Sequence, residues 1–322
     1  MKTRRATKLS IGRPFRNDRG IALLLTLVIL VLLTAIIVEF DYGAKVNLIT
    51  AGNFRDEVRA IYLAKSGVAG ARAALKDDAI HHGAYDDLTE LWAQPIPAYP
   101  VGDGTVSIEV SDESGKIDLN RLGDKQSQVR TDTANMFKRF LKVMEVDPGL
   151  IDPIIQATQN WVNPEPTNDC FEEYYYEQQN PPYHCKKGPM DTLSELLLVR
   201  GITPEIYNKI RPYLTTVSEP NQPPININTA ESPVLQSLWD DITPDTAACL
   251  QTGRPYTAVN QQIWTACPTD CAKNPSCSRQ LGVHSFYFSV KSRGDMYDTE
   301  KIVTALIHRQ GAITSLVSWQ IE

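Results

Sequence analysis

An uninterrupted uncharged segment near the amino terminus constrains the fold of this chain more than any other feature. Residues 21–38 read IALLLTLVILVLLTAIIV and contain no charged side chain. Eighteen residues of this composition suffice for one helix to cross the hydrocarbon core of a bilayer. The mean hydropathy of the whole chain is −0.26, which excludes a protein with many membrane spans and accommodates one. We therefore expect a single membrane-spanning helix.

The twenty residues before this segment are strongly basic. They contain seven Lys and Arg residues and one acid, Asp18. Basic residues are retained on the cytoplasmic side of a spanning helix, so the chain after Val38 is predicted to lie outside the cytoplasm. A cleaved secretory signal is disfavoured because no small-residue cleavage site follows the apolar segment. A signal anchor followed by a linker is one interpretation of this pattern.

The periodicity after the apolar segment predicts that the helix continues. Apolar residues recur at spacings of three and four, which is one face of an amphipathic helix. They are Val58, Ile61, Ala64, Val68, Ala71 and Leu75. Four glycines weaken the helix and permit bends. They are Gly43, Gly52, Gly67 and Gly70. We expect one helix from Ile21 to Leu75.

The boundary between the basic residues and the apolar helix resembles the leader of a type IV prepilin. The basic segment ends in Gly20, and the apolar helix begins at Ile21. The resemblance implies that a membrane peptidase cuts between these two residues on the cytoplasmic side and leaves the helix attached. Phe or Met is usual at the new first position, so Ile21 is a mild departure from the family pattern.

The fifth residue of the apolar helix distinguishes this chain from most pilins. Most pilins carry Glu there, whereas this chain has Leu25. A carboxylate within a bilayer is costly and needs a partner. In assembling pili the proposed partner is the amino terminus of the subunit already in place, and a subunit at the tip has no predecessor. Leu25 therefore predicts a subunit that caps a filament.

Two parts of the remaining chain predict antiparallel strands. Residues 105–110, TVSIEV, alternate between polar and apolar side chains, as in a half-buried strand. Residues 285–322 predict three further strands, with turns near Gly294–Asp295 and Gln310–Gly311. A long helix followed by such strands is the arrangement found in pilins.

The residues between about 120 and 280 show helical periodicity and turn signals instead of alternation. This stretch is too long for a loop and predicts a domain of its own. The predicted fold class is α+β: a type IV pilin-like fold, with a long N-terminal helix packed on a small antiparallel sheet and a large inserted α-helical domain. The leader is predicted to be residues 1–20 and the apolar helix residues 21–38. The amphipathic helix with the first strand is predicted to be 39–110, the inserted domain 111–280 and the C-terminal β-meander 281–322.

Several short strings also carry a resemblance to one protein family. They are, in chain order, DESGKIDLNRL, NWVN, EEYY, LSELLLVRGI and ININTAESPVLQSL. Their combination resembles general secretion pathway protein K, the large minor pseudopilin of type II secretion systems. The resemblance implies an inner-membrane, single-pass protein with a periplasmic C-terminal domain, at the pseudopilus tip with minor pseudopilins I and J. The prepilin peptidase, the major pseudopilin and the inner-membrane assembly platform are further implied partners. A tip minor pilin of a type IV pilus is the alternative.

All six cysteines follow the apolar segment, where an oxidising compartment favours disulfides. They are Cys170, Cys185, Cys249, Cys267, Cys271 and Cys277. Cys170 and Cys185 enclose fourteen residues and are expected to pair. The other four allow two bridges of undetermined connectivity. A four-thiolate zinc site is an alternative, although the usual C-x2-C pairs are missing.

A loop near the first cysteine offers oxygen ligands suited to calcium. The candidates are Asn160, Asn163, Glu165, Asp169, Glu172 and Glu173. The family resemblance implies calcium binding in this domain, and Ca²⁺ is the one cofactor expected. Asn160, Asn163 and Glu165 stand where the family more often has Asp, which reduces the formal charge of the site. A solvated acidic loop closed by the two nearby cysteines is the alternative.

Nothing in the sequence predicts an enzyme, because the zinc-protease, serine-hydrolase and phosphate-loop motifs are all missing. The string LLLVRGITPEIYNKI resembles a helix-hairpin-helix, a shape that binds DNA elsewhere. The charge opposes that function: residues 21–322 hold 25 basic and 37 acidic residues, a net charge of −12 against −6 for the whole chain. Binding to phosphate backbones needs a positive field. No nucleic-acid partner is therefore expected.

Overall fold

The computed structural model describes residues 18–165 and 170–322. The chain divides into two compact units, one ending at Asp56 and the other comprising Glu57–Glu322. The α-helices described are α1 (Asp18–His81), α2 (Ser127–Val143), α3 (Pro148–Val162), α4 (Glu173–Glu177), α5 (Pro204–Ile210), α6 (Ser232–Ser237), α7 (Pro244–Thr252), α8 (Gln261–Ala266) and α9 (Pro275–Ser278). The strands are β1 (Ile96–Val101), β2 (Gly104–Asp112), β3 (Ile117–Asp118), β4 (Leu214–Thr215), β5 (Ile225–Asn226), β6 (Leu281–Gly282), β7 (Tyr287–Met296), β8 (Thr299–Gln310) and β9 (Ile313–Ile321).

The first unit, as far as the structure describes it, is the amino-terminal part of α1. Every side chain from Ile21 to Val38 is exposed. Leu, Ile and Val occupy all sides of the helix here, so the segment lacks the polar face of a helix that packs on a soluble core. By its length and composition, α1 can cross a membrane. This segment fits the predicted single-pass anchor.

A five-stranded antiparallel sheet is the framework of the second unit. Its strand order is β1-β2-β7-β8-β9. Strands β2 and β7 are paired from Thr105 opposite Asp295 to Asp112 opposite Phe288, although residues 113–286 separate them in sequence. The long helix, the antiparallel sheet and the further helices between its strands confirm the predicted α+β class.

The second half of α1 packs on this sheet with the predicted face. The helix and the strands share one core, which also contains Trp92 from a short 3₁₀ helix (Leu91–Ala93). Its buried residues are Ala64, Val68, Ala71, Leu75, Trp92, Phe288, Val290, Val303, Ala305 and Ile307. The helix continues beyond the predicted end at Leu75 and stops at His81. It also runs without interruption through the four glycines that were expected to permit bends.

One predicted turn is wrong. Gly294 and Asp295 lie inside β7, and the hairpin turn is Tyr297–Asp298, between Met296 and Thr299. Gly294 serves a different purpose, since a Cβ atom there would collide with the carbonyl oxygen of Ala60 on α1. The glycine allows the helix backbone to approach the strand.

One strand of the five-stranded sheet was missed altogether. Strand β1 pairs with β2 at the edge of the sheet and contains Pro97 and Pro100. Proline removes a backbone donor and argues against a strand in most positions, but an edge strand tolerates it. The second predicted turn is confirmed, because Gln310 pairs with Ile313 and Gly311 has a φ of +55°.

Residues 113–286 contain the shorter helices, two small parallel strand pairs and a second, larger core. Helices α2 and α3 supply much of that core, including Phe137, Phe140, Ile154 and Trp161. Helix α3 begins at Pro148, where the Asp147 side chain accepts a hydrogen bond from the Gly149 amide. The domain limits expected at 111 and 280 stay predictions; the sheet itself stops at Asp112 and resumes at Tyr287.

A buried polar network fixes the place where the chain leaves the sheet and returns to it. The Arg309 guanidinium contacts the carboxylates of Asp78, at 2.8 Å, and Asp86, as well as the Ser285 carbonyl oxygen. The Ser285 hydroxyl donates to Asp112, the last residue of β2, at 2.6 Å. Buried charges require such partners. The network therefore ties the end of α1 to both ends of the inserted segment.

Candidate functional sites

The predicted cleavage site lies at the start of α1. Gly20 and Ile21 are both helical, and the Ile21 side chain is exposed. Most of the predicted leader, residues 1–17, lies outside the described residues. Leu25 is 61% exposed. Cleavage between Gly20 and Ile21 stays a prediction.

The polar side chains of the apolar segment are satisfied within the helix. The hydroxyls of Thr26 and Thr34 each donate to the backbone carbonyl three residues earlier, at 2.8 Å. A bilayer offers no water to such groups, so internal partners are what a spanning helix requires. The segment is thus compatible with lipid over its whole length.

The second candidate region is a loop closed by a disulfide between Cys170 and Cys185. Tyr176 in its middle is fully buried and packs edge-on against Trp161, with ring centroids 5.4 Å apart. Burial raises the pKa of the Tyr176 hydroxyl, which accepts a hydrogen bond from the Arg200 amide. The loop is therefore packed against the core of the inserted segment and presents a fixed set of side chains.

Glu172 is the buried carboxylate of this loop. Its side chain accepts a hydrogen bond from the side-chain amide nitrogen of Asn160 at 2.8 Å. Among the described residues, no Lys, Arg or His lies within ion-pair distance of it. A buried carboxylate that faces a neutral amide is stabilised by a cation, and oxygen ligands of this kind suit calcium.

The side chain of Glu173 points toward His184, whereas that of Glu172 points toward Asn160. One carboxylate oxygen lies 2.6 Å from Nδ1 of His184, and the other accepts from the Cys185 amide at 3.1 Å. Burial acts to raise the pKa of Glu173, but the hydrogen bonds from His184 and Cys185 outweigh it and lower the pKa overall. Glu173 is therefore a carboxylate at neutral pH, with both oxygens engaged.

The structure thus joins two of the six predicted calcium ligands, Asn160 and Glu172, by a direct contact. Asn163 accepts a hydrogen bond from the Glu165 amide at 3.1 Å, a local turn on the chain that follows α3. Asp169 lies outside the described residues. Calcium binds oxygen atoms, so Asn160, whose amide nitrogen faces Glu172, would have to turn its oxygen toward an ion. Glu173 would have to leave its present partners to join the same site.

The remaining four cysteines form two bridges, Cys249–Cys267 and Cys271–Cys277. No free cysteine is left. The four-thiolate zinc alternative is wrong in this structure because its sulfur atoms are bonded to one another in pairs.

The segment that resembles a helix-hairpin-helix is a short 3₁₀ helix and α5, joined by a turn in which Gly201 has a φ of +90°. Its basic residues are engaged by the protein itself. The Arg200 guanidinium lies over the Tyr175 ring at 5.3 Å, and the Lys209 ammonium lies 3.7 Å from a Glu145 oxygen.

Sequence reasoning missed Arg309 and the group formed by Glu173, Glu177 and His184. Arg309 is separated from its partners Asp78 and Asp86 by more than 220 residues, so no local pattern connects them. No motif in the sequence singles out His184. Its position beside α4 follows from the path of the disulfide loop, and sequence spacing does not reveal it.

Comparison with known proteins gives a consistent result. The family model described as "Type II secretion system (T2SS), protein K" matches residues 115–219, within the inserted segment. A curated type II secretion system protein K of Pseudomonas aeruginosa is 24% identical, over 91% of this chain and 90% of its own length. Its counterpart from Pectobacterium carotovorum subsp. carotovorum is 26% identical, over 94% of this chain and 96% of its own length.

The fold also matches a solved structure. The crystal structure of the GspK-GspI-GspJ complex from the type 2 secretion system of enterotoxigenic Escherichia coli contains a chain with a similar fold. The TM-score is 0.72 at 19% sequence identity, and the match covers 85% of this chain and 99% of that chain. At this level of identity the similarity concerns the fold alone.

Proposed function

Because the chain is similar over more than nine-tenths of its length to type II secretion system protein K of two bacteria, we propose that it is a minor pseudopilin that caps the tip of a secretion pseudopilus. It would thereby support protein secretion across the outer membrane. The role is mechanical and involves no catalysis. The apolar helix would pack with helices of neighbouring subunits. The head, which is the unit Glu57–Glu322, would lie at the front of the fibre as it extends. The protein would be held in the inner membrane by one span, with its head in the periplasm.

The observation that carries the tip position is the lack of a carboxylate in the apolar segment, with Leu25 at its fifth position. A carboxylate there would need a positive partner in the bilayer. A subunit inserted beneath others finds one at the amino terminus of its predecessor, whereas the first subunit does not. Leu25 removes that requirement.

The size of the head supports the same position. Residues 113–286 leave the sheet between two adjacent strands, β2 and β7, and form a core of their own. Subunits in the body of a fibre are closely packed around their helices, and a head enlarged in this way would collide with its neighbours. At the tip, one side of the head is unobstructed.

Minor pseudopilins I and J are the proposed direct partners. The structural neighbour was solved in a complex with GspI and GspJ. Strand β9 offers an edge for such contacts, because it pairs only with β8 among the described strands and exposes Val317, Trp319 and Ile321. An edge strand without proline or charge is open to pairing. The prepilin peptidase, the major pseudopilin and the assembly platform are further proposed partners.

Photo-cross-linking in cells tests this proposal. A cross-linking amino acid at Val317 of β9 is expected to capture subunit I or J. The control position is Leu91, which is 75% exposed and lies outside the strand edge. Capture of the major pseudopilin alone from both positions would contradict the proposal.

Leader removal at Gly20 is proposed on the same basis. Gly20→Leu should block the shortening of the chain, because a bulky side chain would occupy the position that the prepilin peptidase requires as glycine. The measurement is the length of the product on a gel from cells that contain the peptidase. A correctly shortened Gly20→Leu product would contradict the prepilin assignment.

Calcium is proposed as a ligand of the loop, held by Asn160 and Glu172 together with nearby oxygens. It would neutralise a carboxylate that is only 4% exposed. A ligand that binds the folded state raises its stability. Calcium should therefore raise the melting temperature of the wild-type chain, and less so that of Glu172→Gln. The exposed Glu205→Gln is the matched control, and an equal calcium response in all three proteins would contradict the site.

A further inference from the structure

His184, Glu173 and Glu177 bring one imidazole nitrogen and two carboxylates together on the surface of the loop closed by Cys170 and Cys185. Nδ1 of His184 lies 2.6 Å from an oxygen of Glu173 and 4.0 Å from an oxygen of Glu177. We infer that these three side chains form a binding site for a divalent transition-metal ion of the zinc class.

The distances are those of a nearly assembled site. Zinc binds imidazole nitrogen and carboxylate oxygen at about 2.0–2.2 Å in a tetrahedral arrangement, which places neighbouring ligand atoms about 3.3–3.6 Å apart. The two measured separations, 2.6 and 4.0 Å, lie on either side of that value. Small rotations of exposed side chains therefore suffice to equalise them around an ion.

Hydrogen bonds outside the site orient its central ligand. The Cys185 amide donates to one oxygen of Glu173, and the disulfide to Cys170 fixes Cys185. The other oxygen of Glu173 is thereby directed at the imidazole. Glu177 follows one turn later on α4, on the same face. Metal sites depend on this kind of support around their ligands.

Charge and access also suit a cation. Two carboxylates face a single imidazole, so even a protonated His184 would leave one negative charge uncompensated within the group. The side chain of His184 is 77% exposed and that of Glu177 is 49% exposed, so an ion and a completing water can reach them. An exposed ion pair alone contributes little to stability.

The ligand set distinguishes this site from the calcium site proposed at Asn160 and Glu172. Calcium prefers oxygen ligands only, whereas imidazole nitrogen suits zinc, copper, iron and nickel. Glu173 is turned away from Glu172 and toward His184. Two ions of different chemistry can therefore be told apart by competition.

The test is a titration of the full chain, in detergent micelles, with ZnCl₂ by calorimetry and with CoCl₂ by visible absorbance. Two variants each remove one ligand, His184→Ala and Glu177→Gln. The matched control is His81→Ala, since His81 is also exposed and lies 3.1 Å from a single carboxylate, Asp77. Melting curves without metal confirm that the variants are folded.

We expect one zinc ion per wild-type chain and the same affinity in His81→Ala. Each ligand variant should bind at least about tenfold more weakly, since loss of even an outer-shell partner costs about 10–100-fold. An excess of CaCl₂ should not displace the ion. Equal zinc affinity in wild type and His184→Ala, no zinc binding by the wild-type chain, or displacement by calcium would each overturn the site.

Discussion

Two stretches of the same helix, Ile21–Val38 and Ala60–Leu75, differ in every property that decides where a helix is stable. The first is apolar on all sides, and each of its side chains is exposed. The second is amphipathic, and its small residues, Ala60, Ala64 and Ala71, are at most 4% exposed against the sheet. Both stretches are α-helical, so they differ in the surroundings that each helix surface must contact to be stable.

The two stretches obtain these contacts from different sources. The second stretch packs on strands of its own chain, where its small residues face larger side chains such as Phe288 and Val290. The first finds none among the described residues and matches either lipid or the helices of other subunits. Stability of the head and assembly of the fibre should therefore be separable, and the following substitutions test that separation.

The largest effect is expected from Arg309→Met on strand β8, because Arg309 contacts Asp78 on α1 just beyond the packed stretch. Removing the guanidinium leaves the buried carboxylates of Asp78 and Asp86 without their cation, which typically costs about 3–5 kcal/mol. Chemical denaturation of the full chain measures the free energy of unfolding. Protonation removes the uncompensated charge, so the loss should shrink as the pH is lowered.

The control for this substitution is Arg293→Met. Arg293 lies on the neighbouring strand β7 and also faces two acids, but its side chain is 48% exposed. Exposed ion pairs contribute about 0–1 kcal/mol. Equal losses in the two variants would mean that burial of the Arg309 network is not what joins helix and sheet.

A smaller effect is expected within the helix itself, where Gly67 and Gly70 lie three residues apart. A Cβ atom on Gly67 would collide with the Ser292 hydroxyl and come within 2.9 Å of a Val106 methyl group. A Cβ atom on Gly70 would meet its nearest neighbour at 3.8 Å, which is ordinary contact. Gly67→Ala should cost about 1–3 kcal/mol through overpacking.

Gly70→Ala should instead stabilise the chain by up to about 1 kcal/mol, because alanine favours a helix more than glycine does. Thermal or denaturant unfolding of both variants measures the contrast. A stabilising Gly67→Ala would show that helix propensity, and not the close approach to the sheet, governs this position.

The pH response of the packed region tests the burial of one carboxyl group, Glu90. Burial is the main cause that raises the pKa of Glu90 from 4.5 to about 7, while its hydrogen bond from Trp92 acts to lower it. The folded state therefore binds a proton as the pH falls through about 7, and the unfolded state does so only near 4.5. The free energy of unfolding should increase as the pH falls across this window.

Glu90→Gln keeps an acceptor for Trp92 and removes the titration. Its stability should exceed that of the wild type at pH 8, and the slope between about pH 4.5 and 7 should be reduced. Denaturation midpoints at several pH values provide the comparison. An unchanged slope would assign the pH response to other groups.

The smallest effect is expected in the apolar stretch. Leu25→Ala should leave the free energy of unfolding of the head unchanged, because Leu25 is exposed and contributes to no core in the described residues. Leu25→Glu should likewise leave the head unchanged and bring no gain in assembly. Better assembly of Leu25→Glu than of the wild-type chain would contradict the capping proposal.

Local patterns were sufficient to predict much of the fold. The faces of α1 and β2 follow from apolar spacings of 3.6 and 2, which the chain carries within a few residues. Gly294 was assigned to a turn because its role, close approach to Ala60, joins residues that are far apart in sequence. Strand β1 was missed because its prolines oppose pairing everywhere except at an edge.

The candidate sites show the same limit. Cys170 and Cys185 are close in sequence, so their pairing could be expected, whereas the other connectivity required the structure. The orientation of Glu173 toward His184 depends on how the loop is held by the burial of Tyr176. Such an orientation is decided by tertiary packing, and composition alone does not predict it.

The most direct measurement of the capping proposal is the location of this subunit on assembled pseudopili. Pseudopili would be assembled in cells, sheared and labelled with gold-conjugated antibody against the residue 113–286 insert, then counted by electron microscopy. A cap predicts gold at one end of each fibre and none along its length. Gold distributed along the fibre would contradict it.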